Sequence, residues 1–331
     1  MGSAVNASSY DVLLIGEILV EFYSDGPLGD QAQVRLGFSG DTLNAAAAAA
    51  AAGARTAVLT AVADDELGDA LVKRVAGLGV DTSLIRRGPG SNGAYLLHGD
   101  LTGERRFTYW RSGSVASRLG PMDVEYWQDA LRGARALVVS GIGSALSDGN
   151  RRVVQEVARI AAGSGAAVVY DPNFRDRLTT AEQAREVLAD IAPYCALVTP
   201  SCPSDARALL GTEDPDTAAQ RVLALGAAAV AVTAGADHVV VREASHSDES
   251  GEPAGGSVVL PVPYRPDAVD ATGAGDVLTG TAAARLALGD GLLEAVRLGI
   301  GAASLSVLGR GGTGLIPALA DSRAAAPPYP G

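Results

Sequence analysis

From Thr56 to Arg242, short apolar runs rich in Val and Ala alternate with longer segments whose apolar residues recur every three to four positions. That switching between two periods admits few folds. Each short run reads as a buried strand and each longer segment as a crossover helix, the pattern of a parallel α/β sheet. Strands are expected at Asp11 to Gly16, Thr56 to Ala61, Ala136 to Ser140, Ala167 to Tyr170, Leu197 to Thr199, Ala229 to Thr233 and His238 to Arg242. Helices are expected at Leu67 to Leu78, Gly149 to Ala162, Thr180 to Ile191, Ser204 to Leu210 and Thr217 to Leu225.

The segment Asp41 to Ala52 contains an alanine tract, Ala45 through Ala52, followed by Gly53. Alanine is the strongest helix former, Asp41 or Thr42 supplies a cap and Gly53 a stop. A helix there carries side chains small enough to lie very close to a sheet. Two segments break the alternation, 17–38 and 94–111. The second reads as a hairpin, Ala94 to His98 and Arg106 to Arg111 around the turn Gly99 to Gly103. Together they predict a small β-sheet lid over the carboxyl ends of the main strands, where open α/β sheets bind ligands. One domain is expected over residues 10–320, with that lid inserted in it. Met1 to Ser9 and Ala324 to Gly331 read as flexible tails.

A chain of 331 residues can bury one sizeable core. Its formal charge of -12 argues against nucleic acid or an anionic membrane as partner. Two cysteines, Cys195 and Cys202, make neither a disulfide framework nor a metal spacing, and three histidines are scattered. No apolar run is long enough to span a bilayer and no signal peptide is evident, so a cytoplasmic location is expected.

The run Asp270-Ala-Thr-Gly-Ala-Gly-Asp276 follows an extended, proline-punctuated stretch and opens the apolar helical segment Val277 to Leu288. Small residues at a helix N-terminus let backbone N–H groups converge on an anion. Asp276 then sets a carboxylate beside that anion hole, an arrangement suited to deprotonating a hydroxyl while it is phosphorylated. No Gly-x-x-x-x-Gly-Lys-Ser/Thr occurs. Gly309-Arg-Gly-Gly-Thr-Gly314 matches Gly-x-Gly-x-x-Gly but leaves no room for a βαβ unit, and reads as a surface turn.

Asp270 to Asp276 resembles the C-terminal signature of the ribokinase-like carbohydrate kinases, the phosphofructokinase-B family. The resemblance implies a three-layer α/β/α sandwich with a mainly parallel sheet and a β-sheet lid. It implies Asp276 as catalytic base, with Gly273, Ala274 and Gly275 holding the transferred phosphoryl group. ATP and Mg2+ are the implied cofactors, and a monovalent cation is a further candidate. Thr233 and Gly235 fall where the family binds the polyphosphate, joined by Thr272, and Ala302 and Ser304 lie on the helix expected to flank adenine. The family's Asn-x-x-Glu pair is replaced here. Ser201 stands for the Asn, and Asp205 takes the Glu register, where it would order a magnesium-bound water.

On the acceptor side, Ser39-Gly40-Asp41-Thr42-Leu43-Asn44 resembles the family's N-terminal signature, which binds sugar hydroxyls through backbone and Asn. Capping by Asp41 and a packing role for Asn44 are equally consistent with the residues alone. Glu21 falls at an acidic lid position, and Tyr95 and Tyr109 are lid aromatics expected at the sugar. Arg111, in Tyr109-Trp-Arg111, and Arg175, in Asp171-Pro-Asn-Phe-Arg175, are planar donors suited to a carboxylate. These motifs are similar to those of the family branch acting on 2-keto-3-deoxygluconate. The expected activity is ATP-dependent phosphorylation of that sugar acid or a relative. Fructose, ribose, a nucleoside or a cyclitol metabolite as acceptor, or a non-catalytic sugar-binding role, remain open. A homodimer through the lid is a further expectation.

Overall fold

The computed structural model describes residues 10–24, 26–99, 105–244 and 256–329. The expected tail at Met1 to Ser9 and most of the Gly99 to Gly103 turn lie outside them. The first strands are β1 (Val12–Ile15), β2 (Leu19–Ser24), β3 (Arg35–Ser39), β4 (Thr56–Ala63), β5 (Ile85–Gly88), β6 (Ala94–Gly99) and β7 (Arg105–Trp110). There follow β8 (Ala136–Ser140), β9 (Ala167–Asp171), β10 (Cys195–Val198), β11 (Ala229–Ala234), β12 (His238–Glu243) and β13 (Val258–Pro261). Helices in the first half are α1 (Asp41–Ala51), α2 (Glu66–Gly77), α3 (Pro121–Gly133), α4 (Gly141–Ala145) and α5 (Asp148–Gly163). The remainder are α6 (Ala181–Ile191), α7 (Ser204–Leu210), α8 (Pro215–Leu223), α9 (Ala274–Ala287), α10 (Leu292–Ser306) and α11 (Leu319–Ala325).

Among the described residues the main sheet has nine strands in the order β13-β12-β11-β10-β9-β8-β1-β4-β5. From β5 to β11 every pairing is parallel, and β12 and β13 close the far edge antiparallel. Its central strands are buried end to end, as Val12–Ile15 and Ala136–Ser140 illustrate, because helices cover both faces. One face packs on α3, α5, α6, α7 and α8 through Trp127, Val157, Leu188, Leu209 and Val222. The other packs on α1, α2, α9 and α10 through Ala46, Leu71, Ala283 and Ile300. The fold is a three-layer α/β/α sandwich around a mainly parallel sheet, as expected.

The alanine tract has a specific use. A Cβ placed on Gly280 of α9 would meet the Ala45 carbonyl oxygen at 2.0 Å, so α1 and α9 touch backbone to backbone. Only small residues permit that approach. It brings the two helix N-termini side by side at the carboxyl edge of the sheet.

Strands β3-β2-β6-β7 form a separate four-stranded sheet at that edge, built from the two segments that broke the alternation. Its own small apolar cluster is Leu19, Tyr95 and Leu97, flanked by Tyr23 and Phe107. No helix among the described residues is long and apolar enough to cross a membrane.

The C-terminus corrects an expectation. Residues 324–329 are not a loose tail. α11 packs so closely on α10 that a Cβ on Gly301 would lie 2.1 Å from Ser322 O. Beyond it, Arg297 donates to Pro327 O at 2.7 Å and stacks on Tyr329, whose hydroxyl donates to Glu294 at 2.6 Å. Polar anchoring, not apolar periodicity, holds this segment.

Candidate active site at the α9 N-terminus

The loop Asp270 to Gly273 leads directly into α9, with Gly273 at the N-cap and a left-handed φ of 81°. A helix start leaves its first amides without intrahelical partners, and nothing lies within 4 Å of a Cβ built on Gly275. Gly275 is exposed and carries no side chain at the positive end of the helix, which leaves room there for a ligand. Ala274 departs from expectation, since its N–H turns back to Ala271 O at 3.2 Å. Asp270 does not cap the helix. Its carboxylate accepts from Thr272 N at 3.0 Å and from Gly311 N at 3.0 Å, tying two loops together.

Asp276 sits in the first turn of α9, and each of its oxygens meets a side-chain amide. Asn44 Nδ2 donates to Oδ2 at 2.9 Å, and Asn173 Nδ2 donates to Oδ1 at 3.3 Å. Withdrawal from bulk water, then the nearby Asp41 carboxylate, raises the Asp276 pKa to about 7. Asn44, Arg175 and Asn173 pull the other way. Asp41, beside the Gly40 N-cap of α1, accepts from Ser140 Oγ at 2.5 Å at the end of β8. Asp171 at the end of β9 is likewise pushed well above the carboxylate range, by burial first and then by Asp205, Asp276 and Asp41. Three carboxylates thus converge beneath the cleft.

The second sheet supplies Glu21 and Tyr95, paired through the tyrosine hydroxyl. Burial raises the Glu21 pKa, the Tyr95 hydrogen bond lowers it, and Asp270 raises it further. Tyr109 is 40% exposed, stacks on Phe107 at 6.0 Å and tilts against Tyr95 at 5.8 Å, so an aromatic wall stands beside Glu21. The two arginines do not converge as expected. Arg175 is exposed, and no ion pair forms on it among the described residues, yet its charge reaches Asp276 and Asp171. Arg111 instead is buried against Glu17. Its Nε donates to Oε2 at 2.8 Å, and Nη2 lies 2.7 Å from the same oxygen without a hydrogen-bonding alignment. Ser114 Oγ donates to the other Glu17 oxygen. Glu17 lies between β1 and β2, and Arg111 directly follows β7, so the pair sits where the second sheet joins the first.

On the opposite side, Ser201 bridges to Thr233 at the ends of β10 and β11, with the exposed Gly235 just beyond. Thr199 Oγ1, just beyond β10, lies 2.9 Å from Thr279 Oγ1 of α9, so this end of the sheet approaches that helix, and Thr272 stands in the loop that precedes it. Asp205 departs from expectation. It is 2% exposed and accepts from Phe174 N at 2.8 Å, Ser201 N at 2.8 Å and Ser201 Oγ at 2.6 Å. Its carboxylate braces two loops and presents almost no surface for an ordered water. Ala302 and Ser304 are also corrected. Ala302 packs on Ala48 and Val277 in a small core cluster, and the buried Ser304 hydroxyl donates to Gly301 O at 2.9 Å. Helical spacing turns both inward.

Two features went unseen in the sequence. Gly309 to Gly314 is not a surface turn but a wall of the site. A Cβ on Gly312 would lie 2.1 Å from Asn44 Nδ2, and Thr313 Oγ1 donates to Phe38 O at 3.1 Å. Asn173, within Asp171-Pro-Asn-Phe-Arg175, is the second. Its signal was Asn after a buried strand and Pro172, since Asn tolerates the left-handed region better than most residues.

The profile of the pfkB family carbohydrate kinases matches residues 10–319. A 2-dehydro-3-deoxygluconokinase of Thermoproteus tenax is 32% identical over 92% of this chain and 91% of its own length. Among solved structures, the PfkB protein from Polaromonas sp. JS666 superposes with a TM-score of 0.80 at 25% identity, covering 96% of this chain and 100% of that one. A protein of Escherichia coli assigned as ribokinase II, solved with ATP and Mg2+, has a TM-score of 0.82 at 22% identity, covering 95% of this chain and 98% of that one. The profile match over residues 10–319 and the 32% identity to the Thermoproteus tenax kinase identify the chain as a member of the pfkB family of carbohydrate kinases.

Proposed function

We propose that this carbohydrate kinase transfers the γ-phosphate of ATP to a hydroxyl of 2-keto-3-deoxygluconate or a closely related sugar acid, with Asp276 as the base. The observation that carries the reading is Asp276 itself: a carboxylate with a pKa near 7, oriented by two amides beside a helix N-terminus. At neutral pH about half of such a group is ionised and able to accept a hydroxyl proton, and a catalytic pKa near the working pH is the most effective one. The acid-sugar reading draws on the Thermoproteus tenax relative and on the exposed Arg175, which forms no ion pair among the described residues.

The residues divide the work. The acceptor hydroxyl lies against Asp276, with Glu21, Tyr95, Tyr109 and the Gly40 to Asn44 segment around the sugar. Arg175 receives the carboxylate. The α9 amides, Gly275 above all, stabilise charge on the moving phosphoryl group, and Ser201, Thr233, Gly235 and Thr272 line the polyphosphate path. Magnesium, when bound with the nucleotide, neutralises phosphate charge. It fits here as an ion carried by phosphates. The described residues form no cluster of three or more His, Cys, Asp or Glu side chains to cage it, and Mg2+ commonly keeps waters and phosphate ligands.

The test is ADP release with a panel of acid and neutral sugars. Turnover strongest with 2-keto-3-deoxygluconate or its epimer is expected. A preference for fructose, ribose or a nucleoside would overturn the acceptor but keep the kinase. Sugar binding without ADP formation would remove Asp276 from its role.

A further inference from the structure

We propose that Asn173 is a positioning residue for the base: its amide fixes one oxygen of Asp276 while Asn44 fixes the other, locking the carboxylate plane toward the acceptor. The proposal rests on Asp276 being the base. A carboxylate only accepts, so in each contact the amide nitrogen must face it. With one donor on each oxygen, rotation of the carboxylate breaks two hydrogen bonds at once.

The local fold is arranged to present that amide. Asn173 is 9% exposed and holds a left-handed φ of 40°. Its own N–H donates to Asp171 Oδ1 at 3.1 Å, and the next N–H, of Phe174, donates to Asp205 Oδ1 at 2.8 Å. Two carboxylates therefore pin the backbone immediately before and after the Asn173 side chain. Asp205, which replaces the family's Glu, gains a function here as an anchor for the loop that carries Asn173.

The chemistry explains why the donor is neutral. Charged groups already press on Asp276 from three elements: Asp41 on α1, Asp171 on β9, and Arg175 in the loop that follows β9. A second cation would pull the carboxylate below its working range, and a further anion would keep it protonated. An amide orients the group and lowers its pKa only moderately.

Asn173→Gly keeps a residue that accepts the left-handed backbone and deletes the amide. Asn173→Asp keeps the side-chain shape and replaces a donor by an acceptor. With the best acceptor from the sugar panel, Asn173→Gly is expected to lower kcat about five- to tenfold with little change in KM. The acid limb of its kcat–pH profile should move to higher pH, and that of Asn173→Asp further still. If Asn173→Gly melts early, Asn173→Asp carries the test through the same limb. An unmoved acid limb in a folded variant, or a raised KM at unchanged kcat, overturns the proposal. Asp276→Asn measured alongside separates the two readings. Retained turnover there refutes the base, whereas an inactive Asp276→Asn with a wild-type-like Asn173→Gly refutes only the positioning role.

Discussion

Arg111 Nε donates to Glu17 Oε2 at 2.8 Å, and both side chains are buried where the second sheet meets the first. Breaking one side of such a pair leaves an uncompensated charge, at a cost of about 3–5 kcal/mol. Arg111→Met should therefore lower the melting temperature markedly and depress turnover of every sugar tested. Burial pushes the Glu17 pKa up while Arg111 and Ser114 pull it down, so losing Arg111 favours the neutral acid. Glu17→Gln combined with Arg111→Met should recover much of the stability, as a thermal melt will report. An Arg111→Met protein of normal stability that loses only the acid sugar would restore Arg111 to the carboxylate.

Arg175 should behave differently. It is exposed and unpaired within the described chain, so Arg175→Met should leave the melt nearly unchanged. Loss of a charged hydrogen-bond partner costs about 1.5–3 kcal/mol, or one to two orders of magnitude in kcat/KM. That loss should fall on the acid sugar and spare a neutral analogue with the same acceptor hydroxyl. Arg175→Lys keeps charge without the planar fork and should recover only part of the rate. Equal losses on both sugars would refute the clamp.

Asp276→Asn should cut kcat by about 10²–10⁴-fold, because an amide cannot take the proton. In the wild type, kcat should rise as pH increases through about 7 and level off above it, since the base must be ionised. The same shift acts on stability with a defined sign. A carboxylate whose folded pKa is raised binds protons more tightly when folded, so its ionisation erodes stability as pH climbs from about 4 to about 7. The stability of Asp276→Asn relative to wild type should accordingly improve across that window. A pH-independent difference in melting temperature would contradict the shift.

Sugar binding should protect the second sheet from hydrogen exchange more than it protects β1 or β8. That sheet has a small core of its own, and its links to the body include exposed contacts such as Arg310 to Tyr23 OH at 2.9 Å and Arg177 to Phe107 O at 3.0 Å. Equal protection of β2, β3, β6 and β7 with and without sugar would show that the sheet does not close.

What could be read from the sequence follows from how local each signal is. β8 and α7 were placed residue for residue, because buried strands and capped helices announce themselves within ten residues. α3 was missed because Pro121 opens it and only Trp127 and Leu131 turn fully inward, leaving a faint apolar stripe. The part of the site carried by one motif was legible: Gly273 is the N-cap of α9 and Asp276 falls in its first turn, as the run of small residues before an apolar helix predicts. The site was illegible where partners are distant in the chain. Glu17 lies 94 residues from Arg111, and Asn173 lies 103 from Asp276. No spacing rule reveals such pairs, so a cation buried at the junction of the two sheets reads from the sequence as a ligand-binding one. Gly309 to Gly314 failed for a related reason: glycine marks a flexible turn and a crowded contact alike, and only the neighbour, here Asn44, tells which.

The backbone contact between α1 and α9 has a consequence for how this enzyme can change. Asn44 rides on one helix and Asp276 on the other, so their separation is a property of a rigid chassis and not of any side chain lining the sugar cavity. In the proposed function, acceptor choice falls to parts mounted on other supports, the second sheet with Tyr95 and Tyr109 and the loop with Arg175. Substitutions in those parts can exchange one sugar for another while the machinery of transfer stays in register. A methyl group at Gly280 would do the reverse, wedging the two helices apart and disabling every substrate alike from deep in the core.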